Sequence, residues 1–117
     1  MILVFGNSTP GELYDSRRLK MILWGIIAGT RGGPNRARIL NLLYSKSLNE
    51  LQISKELKLD HKTIHHHLKI LTKNSLISKP SDETYDIKYD LTPIMKKNHE
   101  VFDEIISKMK RGASYGY

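Results

Sequence analysis

Apolar residues recur along the chain at two spacings, which together predict a mainly helical fold with one small hairpin. Helical spacing of leucine and isoleucine covers residues 15–28, 34–44, 49–57, 61–73 and 93–110. Tyr85, Ile87, Tyr89 and Leu91 instead alternate with polar residues, which is typical of a half-buried strand. An extended stretch at residues 76–79 precedes that strand, so the two predict an antiparallel hairpin.

Residues with capping chemistry stand where the predicted helices begin. Asn49, with Gln52 three residues later, matches a capping box. Asp60 is placed to cap the helix 61–73, and Thr92 to cap the last helix. In the short helix 49–57 we expect the apolar side to be formed by Leu51, Ser54 and Leu57.

The basic charge of the chain is concentrated in its first two thirds. The 117 residues include 19 Lys and Arg against 12 Asp and Glu, a net charge of +7. Residues 15–79 alone carry a net charge of +9, whereas residues 80–117 carry −1. A basic surface attracts polyanions such as nucleic acids, although it can also be an ordinary solvated surface.

Several classes of function find no support in the sequence. The absence of cysteine excludes disulfides and thiolate metal sites. The longest apolar run, residues 21–28, is far shorter than the roughly 20 residues of a membrane span. No motif places a catalytic set or a cofactor, so we expect a cytoplasmic protein that is not an enzyme and needs no cofactor.

The helix 61–73 separates an apolar face from a basic one. Ile64, Leu68 and Leu71 share one side and should be buried. A helix whose opposite face is basic suits the major groove of DNA, where its first turns approach base edges and its later lysines reach phosphates. The candidate DNA-binding residues on and around this helix are Lys62, Thr63, His65, His66, Lys69, Lys73, Lys79 and Lys88, together with Arg36 near another helix start.

Three consecutive histidines in this helix, His65, His66 and His67, point in different directions about 100° apart. His61 and His65 are four residues apart and suit a shared metal ion, but we expect no carboxylate on that face to complete a site, so no metal is predicted. His67 lies beside the apolar face, where a structural role with one ring nitrogen hydrogen-bonded is expected.

Residues 37–91 resemble the ArsR-type winged helix-turn-helix transcription regulators. The motifs that carry the resemblance are Ile39-Leu40-x-Leu42-Leu43, Leu51-x-x-Ser54-x-x-Leu57, Thr63-Ile64-x-x-His67-Leu68-x-x-Leu71 and Asn74-Ser75-Leu76-Ile77. The preceding residues 28–33 are similar to a lead-in of archaeal members. The chain departs from the family where Lys58 or Leu59 and Ser75 stand in place of glycine.

The resemblance implies a winged helix-turn-helix with additional terminal helices. We assign residues 1–14 to an N-terminal arm, 15–110 to a single domain and 111–117 to a frayed tail. Within the domain, residues 33–91 form the core, and 15–28 and 93–110 are flanking helices of a homodimer. The predicted interface residues are Leu19, Ile22, Leu23, Ile26, Met95, Val101, Phe102, Ile105 and Met109.

Two other functions remain open at this stage. The hairpin tip at residues 81–84 carries two carboxylates, which phosphates repel, so a protein-interaction module on the same scaffold is the main alternative. An RNA-binding domain is less well supported, because most aromatic residues fall in apolar alternation rather than in an exposed stacking pattern. The favoured interpretation is a regulator that reads double-stranded DNA sequence-specifically with helix 61–73.

Overall fold

The computed structural model describes residues 10–79 and 87–114, and within them the side chains of residues 16–79 and 87–110. The helices are α1 (Pro10–Leu23), α2 (Gly33–Ser45), α3 (Glu50–Leu57), α4 (His61–Lys73), α5 (Pro93–Lys97) and α6 (His99–Ser114). A π-helical turn (Trp24–Ala28) follows α1, and the strands are β1 (Ile77–Ser78) and β2 (Asp90–Leu91).

The first helix begins at Pro10 rather than at residue 15, so five residues assigned to the N-terminal arm are helical. Proline suits a helix start because its missing N–H would be unpaired there anyway. Residues 1–9 of the predicted N-terminal arm lie outside the described residues.

The regular helix predicted to Ala28 widens into the π-helical turn, where the N–H of Gly29 donates to the Trp24 carbonyl at 3.0 Å. The Ile26 carbonyl is instead satisfied by two side chains, Arg36 at 2.8 Å and Thr30 at 3.1 Å. Side-chain donors therefore replace helical hydrogen bonding at this widened turn.

The helix α3 has the predicted capping box, since Asn49 and Gln52 exchange side-chain and backbone hydrogen bonds of 2.8 and 2.9 Å. The predicted apolar side of this helix was wrong. Leu51 is 54% exposed, and Ile53 is the buried residue because it shares with Leu57, four positions on, the face towards α2 and α4.

Two residues other than glycine have positive φ angles within the described ranges, Lys58 at 55° and Ser75 at 59°. Lys58 ends α3 and Ser75 follows α4, and each adopts the left-handed region that usually favours glycine. These are the positions at which the sequence departs from the family's glycines. The chain therefore keeps the left-handed backbone geometry of these turns, although the side chains of Lys58 and Ser75 are sterically disfavoured there.

The hairpin has a short ladder, in which Ile77 pairs with Leu91 and Ser78 with Asp90. Tyr89 bridges to Leu48, ahead of α3, rather than to the other strand of the hairpin. The predicted alternation holds for burial at Tyr89 and Leu91, which are 6% and 3% exposed, whereas Ile87 is partly exposed and Tyr85 lies outside the described residues. The acidic tip lies outside the described residues.

The single C-terminal helix predicted over residues 93–110 is two helices separated at Asn98, whose φ is −113°. The Asn98 side chain donates to the Ile94 carbonyl at 2.9 Å, and this local bond competes with helix continuation. The helix α6 continues to Ser114, so the first residues of the predicted frayed tail are helical. Thr92 does not cap α5 through its side chain, because its hydroxyl donates to the carbonyls of Ser75 and Leu76.

One hydrophobic core joins the helix-turn-helix to the terminal helices. Helices α1 and α6 pack against each other, and the π-helical turn packs against both α2 and α6. Tyr44 of α2 links α5 to this core, because its hydroxyl donates to the Met95 carbonyl at 2.7 Å and its ring lies 5.5 Å from that of Phe102. Burial and the charge of Asp103 raise the pKa of Tyr44 to about 12, so its hydroxyl stays protonated as a donor.

Candidate nucleic-acid interface

The helix α4 begins where the sequence predicts. The Asp60 carboxylate accepts hydrogen bonds from both the backbone N–H and the hydroxyl of Thr63, at 3.1 and 2.5 Å. These bonds hold the pKa of Asp60 below its ordinary value. Thr63 was predicted to contact DNA, but its hydroxyl is engaged in this cap.

The two faces of α4 separate as predicted. Its inner face is buried and consists of Ile64, His67, Leu68 and Leu71. Its outer face is exposed and consists of Lys62, His65, His66, Lys69 and Lys73. The outer face lies beside an open cleft of about 510 Å³ that Lys79 and Tyr89 line from the hairpin. The structure therefore brings four of the predicted cations, Lys62, Lys69, Lys73 and Lys79, to one side of the molecule.

A carboxylate that sequence reasoning missed lies at the start of this surface. Glu50, the first residue of α3, contacts two histidines one helical turn apart: its Oε2 lies 2.6 Å from His61 Nε2 and its Oε1 lies 2.7 Å from His65 Nδ1. Burial, and then the charge of Glu50, raise the pKa of Tyr89 on the hairpin. Glu50 thus joins α3 to α4 and lies near the hairpin.

The contacts of Glu50 correct the expectation that no carboxylate lies near the histidine pair. Glu50 directly follows the capping residue Asn49. An acidic side chain at the first helical position is usually explained by the helix dipole, so the sequence did not point to a tertiary contact. The i, i+4 spacing of the two histidines was the available signal. Within the described ranges, no three His, Asp or Glu residues have the geometry to hold a metal ion.

Arg36, predicted to contact DNA, is a buried residue, 6% exposed, and that prediction was wrong. Its guanidinium donates to the Ile26 carbonyl, to the Thr30 hydroxyl and to Nδ1 of His67, at 2.8, 2.5 and 3.2 Å. Burial lowers the pKa of Arg36. The sequence placed this arginine near a helix start, but packing turned it towards the π-helical turn and α4.

His67 has the structural role that was predicted for it. It is 5% exposed, and its Nδ1 accepts the hydrogen bond from Arg36. Burial, then the charges of Arg36 and His66, lower the pKa of His67. A neutral ring is therefore built into the inner face of α4.

The predicted dimer-interface residues fall into two groups. Leu19, Leu23, Met95, Phe102 and Ile105 are at most 2% exposed in the single chain, so intramolecular packing occupies these side chains. The remaining residues, Ile22, Ile26, Val101 and Met109, are partly exposed. Two further side chains of this segment are exposed and were not predicted. They are Met21 in α1, which is 75% exposed, and Trp24 in the π-helical turn, which is 48% exposed.

None of the helices in the described ranges combines the length and apolarity that crossing a membrane requires.

Comparisons with known proteins agree with this architecture. The family model of the bacterial regulatory proteins of the ArsR family matches residues 33–79, which run from the start of α2 through β1. No curated protein matches the sequence.

Three solved structures share the fold at low sequence identity. A MarR transcriptional regulator from Methanosarcina mazei Go1 is 20% identical with a TM-score of 0.60, covering 92% of this chain and 79% of its own. A probable transcriptional regulator from Pseudomonas aeruginosa is 18% identical with a TM-score of 0.64, covering 90% and 81%. The PcaV transcriptional regulator from Streptomyces coelicolor, solved with its natural ligand, is 23% identical with a TM-score of 0.60, covering 100% and 86%.

The family match covers both helices of the helix-turn-helix and the cationic outer face of α4, and the fold match extends over the terminal helices. The matching family model and the structures that share the fold are those of transcription regulators. The chain has the winged helix-turn-helix fold, its residues 33–79 match the model of the ArsR-family regulators, and together these findings support DNA-binding transcription regulation.

Proposed function

We propose that the chain reads double-stranded DNA sequence-specifically by placing α4 in the major groove. The observation that carries this proposal is the outer face of α4, where three lysines and two histidines are exposed directly opposite four buried residues. A helix with one exposed cationic face and one buried face can present its first turns to base edges, because the buried face keeps the helix packed against the rest of the fold.

The positions of the lysines suggest separate roles. Lys69 and Lys73 lie in the last turns of α4, and Lys79 stands across the cleft at the end of β1. Three ammonium groups around one cleft suit the phosphates on either side of a groove, which fix register but carry no sequence information. Lys88, also exposed, is a further candidate on the hairpin.

We infer that the regulator works as a homodimer, because one recognition helix reads only a few base pairs and a two-fold dimer reads two half-sites about one helical turn apart. The terminal helices are the candidate interface, as the resemblance to ArsR-type regulators implies. Met21 and Trp24 offer exposed apolar surface there, beside the partly exposed Ile22 and Ile26.

The salt dependence of binding tests the placement of α4. The triple variant Lys62→Ala, Lys69→Ala, Lys73→Ala should bind duplex DNA more weakly, and the slope of log affinity against log salt should fall by about one unit per lost phosphate contact. The control variant Lys46→Ala, Lys97→Ala, Lys110→Ala removes the same charge from exposed sites outside α4 and should leave the slope nearly unchanged.

Equal losses in the two triple variants would reject the placement of α4. If the unmodified protein fails to bind duplex DNA even at low salt, the interaction-module alternative would be favoured instead.

Sedimentation equilibrium tests the dimer. The variant Met21→Glu, Trp24→Glu should shift the mass from about twice 13.5 kDa towards 13.5 kDa. Leu51→Glu alters an exposed apolar residue on α3 instead and should leave the mass unchanged. A single species of 13.5 kDa for the unmodified protein would reject the dimer.

A further inference from the structure

The contact between Glu50 and His65 has a chemical consequence for the imidazole ring. An ionised carboxylate only accepts hydrogen bonds, so the Nδ1 atom that lies 2.7 Å from Glu50 Oε1 has to carry a proton. A neutral imidazole has one proton. The other ring nitrogen of His65, Nε2, is therefore an acceptor in the neutral ring.

That acceptor is available to an outside partner. The His65 side chain is 56% exposed and lines the cleft on the outer face of α4. Its Nε2 has no hydrogen-bond partner among the described residues. His65 stands in the second turn of α4, the part of a recognition helix that approaches base edges.

We propose that Glu50 fixes the tautomer of His65 and thereby makes His65 select a base that presents an amino group in the major groove. Only adenine, through N6, and cytosine, through N4, offer such a donor there, whereas guanine and thymine offer acceptors at the corresponding edge. This inference rests on the proposed placement of α4 and adds the chemistry of one base contact. Glu50 acts as a positioning residue, because it acts through the ring that would touch the base.

The surroundings of Glu50 keep the arrangement in place. Only 20% of its side chain is exposed, and Nε2 of His61 on α4 lies 2.6 Å from the same carboxylate. The other titratable groups that line the cleft with His65 are His66, Lys69, Lys73, Lys79 and Tyr89. The lysines carry only donors, so they cannot replace Glu50 as the acceptor for Nδ1.

Nitrogen-15 NMR of the imidazole rings tests the first step without DNA, because the chemical shifts of Nδ1 and Nε2 report which atom carries the proton. We expect His65 to be mainly protonated at Nδ1 at pH 8. Glu50→Ala should return the ring to a mixture of tautomers. Tyr89→Phe and Glu56→Ala are the controls: the first removes a hydroxyl group from the same cleft, the second removes an exposed carboxylate from the same helix, and both should leave the tautomer unchanged.

Selection from a duplex library with a randomised central segment tests the second step. One position of each selected half-site should require adenine or cytosine, with affinity falling at least about fivefold when guanine or thymine replaces it. Glu50→Ala and His65→Ala should both relax this position while the rest of the site is retained. Glu56→Ala should keep the requirement.

The outcomes separate the inference from the function on which it rests. If the library yields no preferred site, the proposed sequence-specific function fails. A preferred site with every position unchanged in Glu50→Ala and His65→Ala, or an Nε2-protonated ring in the unmodified protein, would overturn the inference alone. If Glu50→Ala does not fold, His65→Ala decides the inference: the position that requires adenine or cytosine should relax in this variant, and its retention would overturn the inference.

Discussion

Arg36 in α2 and His67 on the buried face of α4 are joined by a 3.2 Å hydrogen bond. The same guanidinium reaches back to the Ile26 carbonyl and the Thr30 hydroxyl, so one side chain connects the π-helical turn, α2 and α4. Gly32 makes room for this arrangement, because a Cβ there would lie 2.7 Å from the Arg36 guanidinium. The orientation of α4 is thereby tied to the terminal helices that would mediate dimerisation.

Replacing Arg36 by methionine should destabilise the fold by about 2–4 kcal/mol, because it removes the donor to His67 and to the Thr30 hydroxyl and one of the two donors to the Ile26 carbonyl. The measurement is the free energy of unfolding from urea titration. Arg31→Met is the control, since Arg31 is exposed, and it should change stability by no more than about 0.5 kcal/mol. Similar losses in both variants would contradict the structural role of Arg36.

The stability of the protein should fall as the pH drops below the ordinary imidazole value of 6.5 because of His67. Its pKa is lowered in the folded state, so the unfolded chain binds the proton first and protonation favours unfolding. The contribution of His67 to stability is therefore fully present above pH 6.5. It is lost progressively as the pH falls from 6.5 to the lowered pKa of the folded state. His67→Gln should flatten the decline measured by urea unfolding at several pH values, and an equally steep decline in this variant would contradict the prediction.

Glycine at the two left-handed positions should stabilise the protein. Lys58→Gly and Ser75→Gly each remove the steric cost of a side chain at positive φ, and the greater freedom of glycine in the unfolded chain offsets part of that gain. We expect about 0.5–1 kcal/mol per substitution. Lys55→Gly, inside α3, should instead destabilise by about 1 kcal/mol, and a gain there would refute this reasoning.

Two glycines around the π-helical turn should respond oppositely to alanine. A Cβ at Gly33 would lie 1.6 Å from the Ile27 carbonyl oxygen, so Gly33→Ala has to displace the start of α2. A Cβ at Gly25 meets nothing within 4 Å, and Gly25→Ala should be neutral or stabilising by up to about 1 kcal/mol. Thermal unfolding of the two variants checks this; a folded, unperturbed Gly33→Ala protein would contradict the close packing.

The sequence by itself determined the local features. The caps at Asn49 and Asp60, the buried face of α4 and the alternation around Tyr89 depend on neighbours within a few residues, so spacing alone predicted them. Interruptions of a helix by a side chain that bonds to the backbone were harder to predict. Asn98 interrupts the helix although apolar residues at helical spacing stand before and after it, and its side-chain bond to the Ile94 carbonyl cannot be inferred from periodicity.

Tertiary structure alone decided the partners of the charged and polar residues. Nothing in the local sequence distinguishes Arg36, which is buried against His67, from Arg38, which remains exposed two residues later. Glu50 and His65 are fifteen positions apart and meet only because α3 packs against α4. A long-range contact depends on how whole helices pack, whereas a capping or periodicity signal depends on adjacent residues. This is why the sequence predicted α4 and its two faces but not the carboxylate that contacts its histidines.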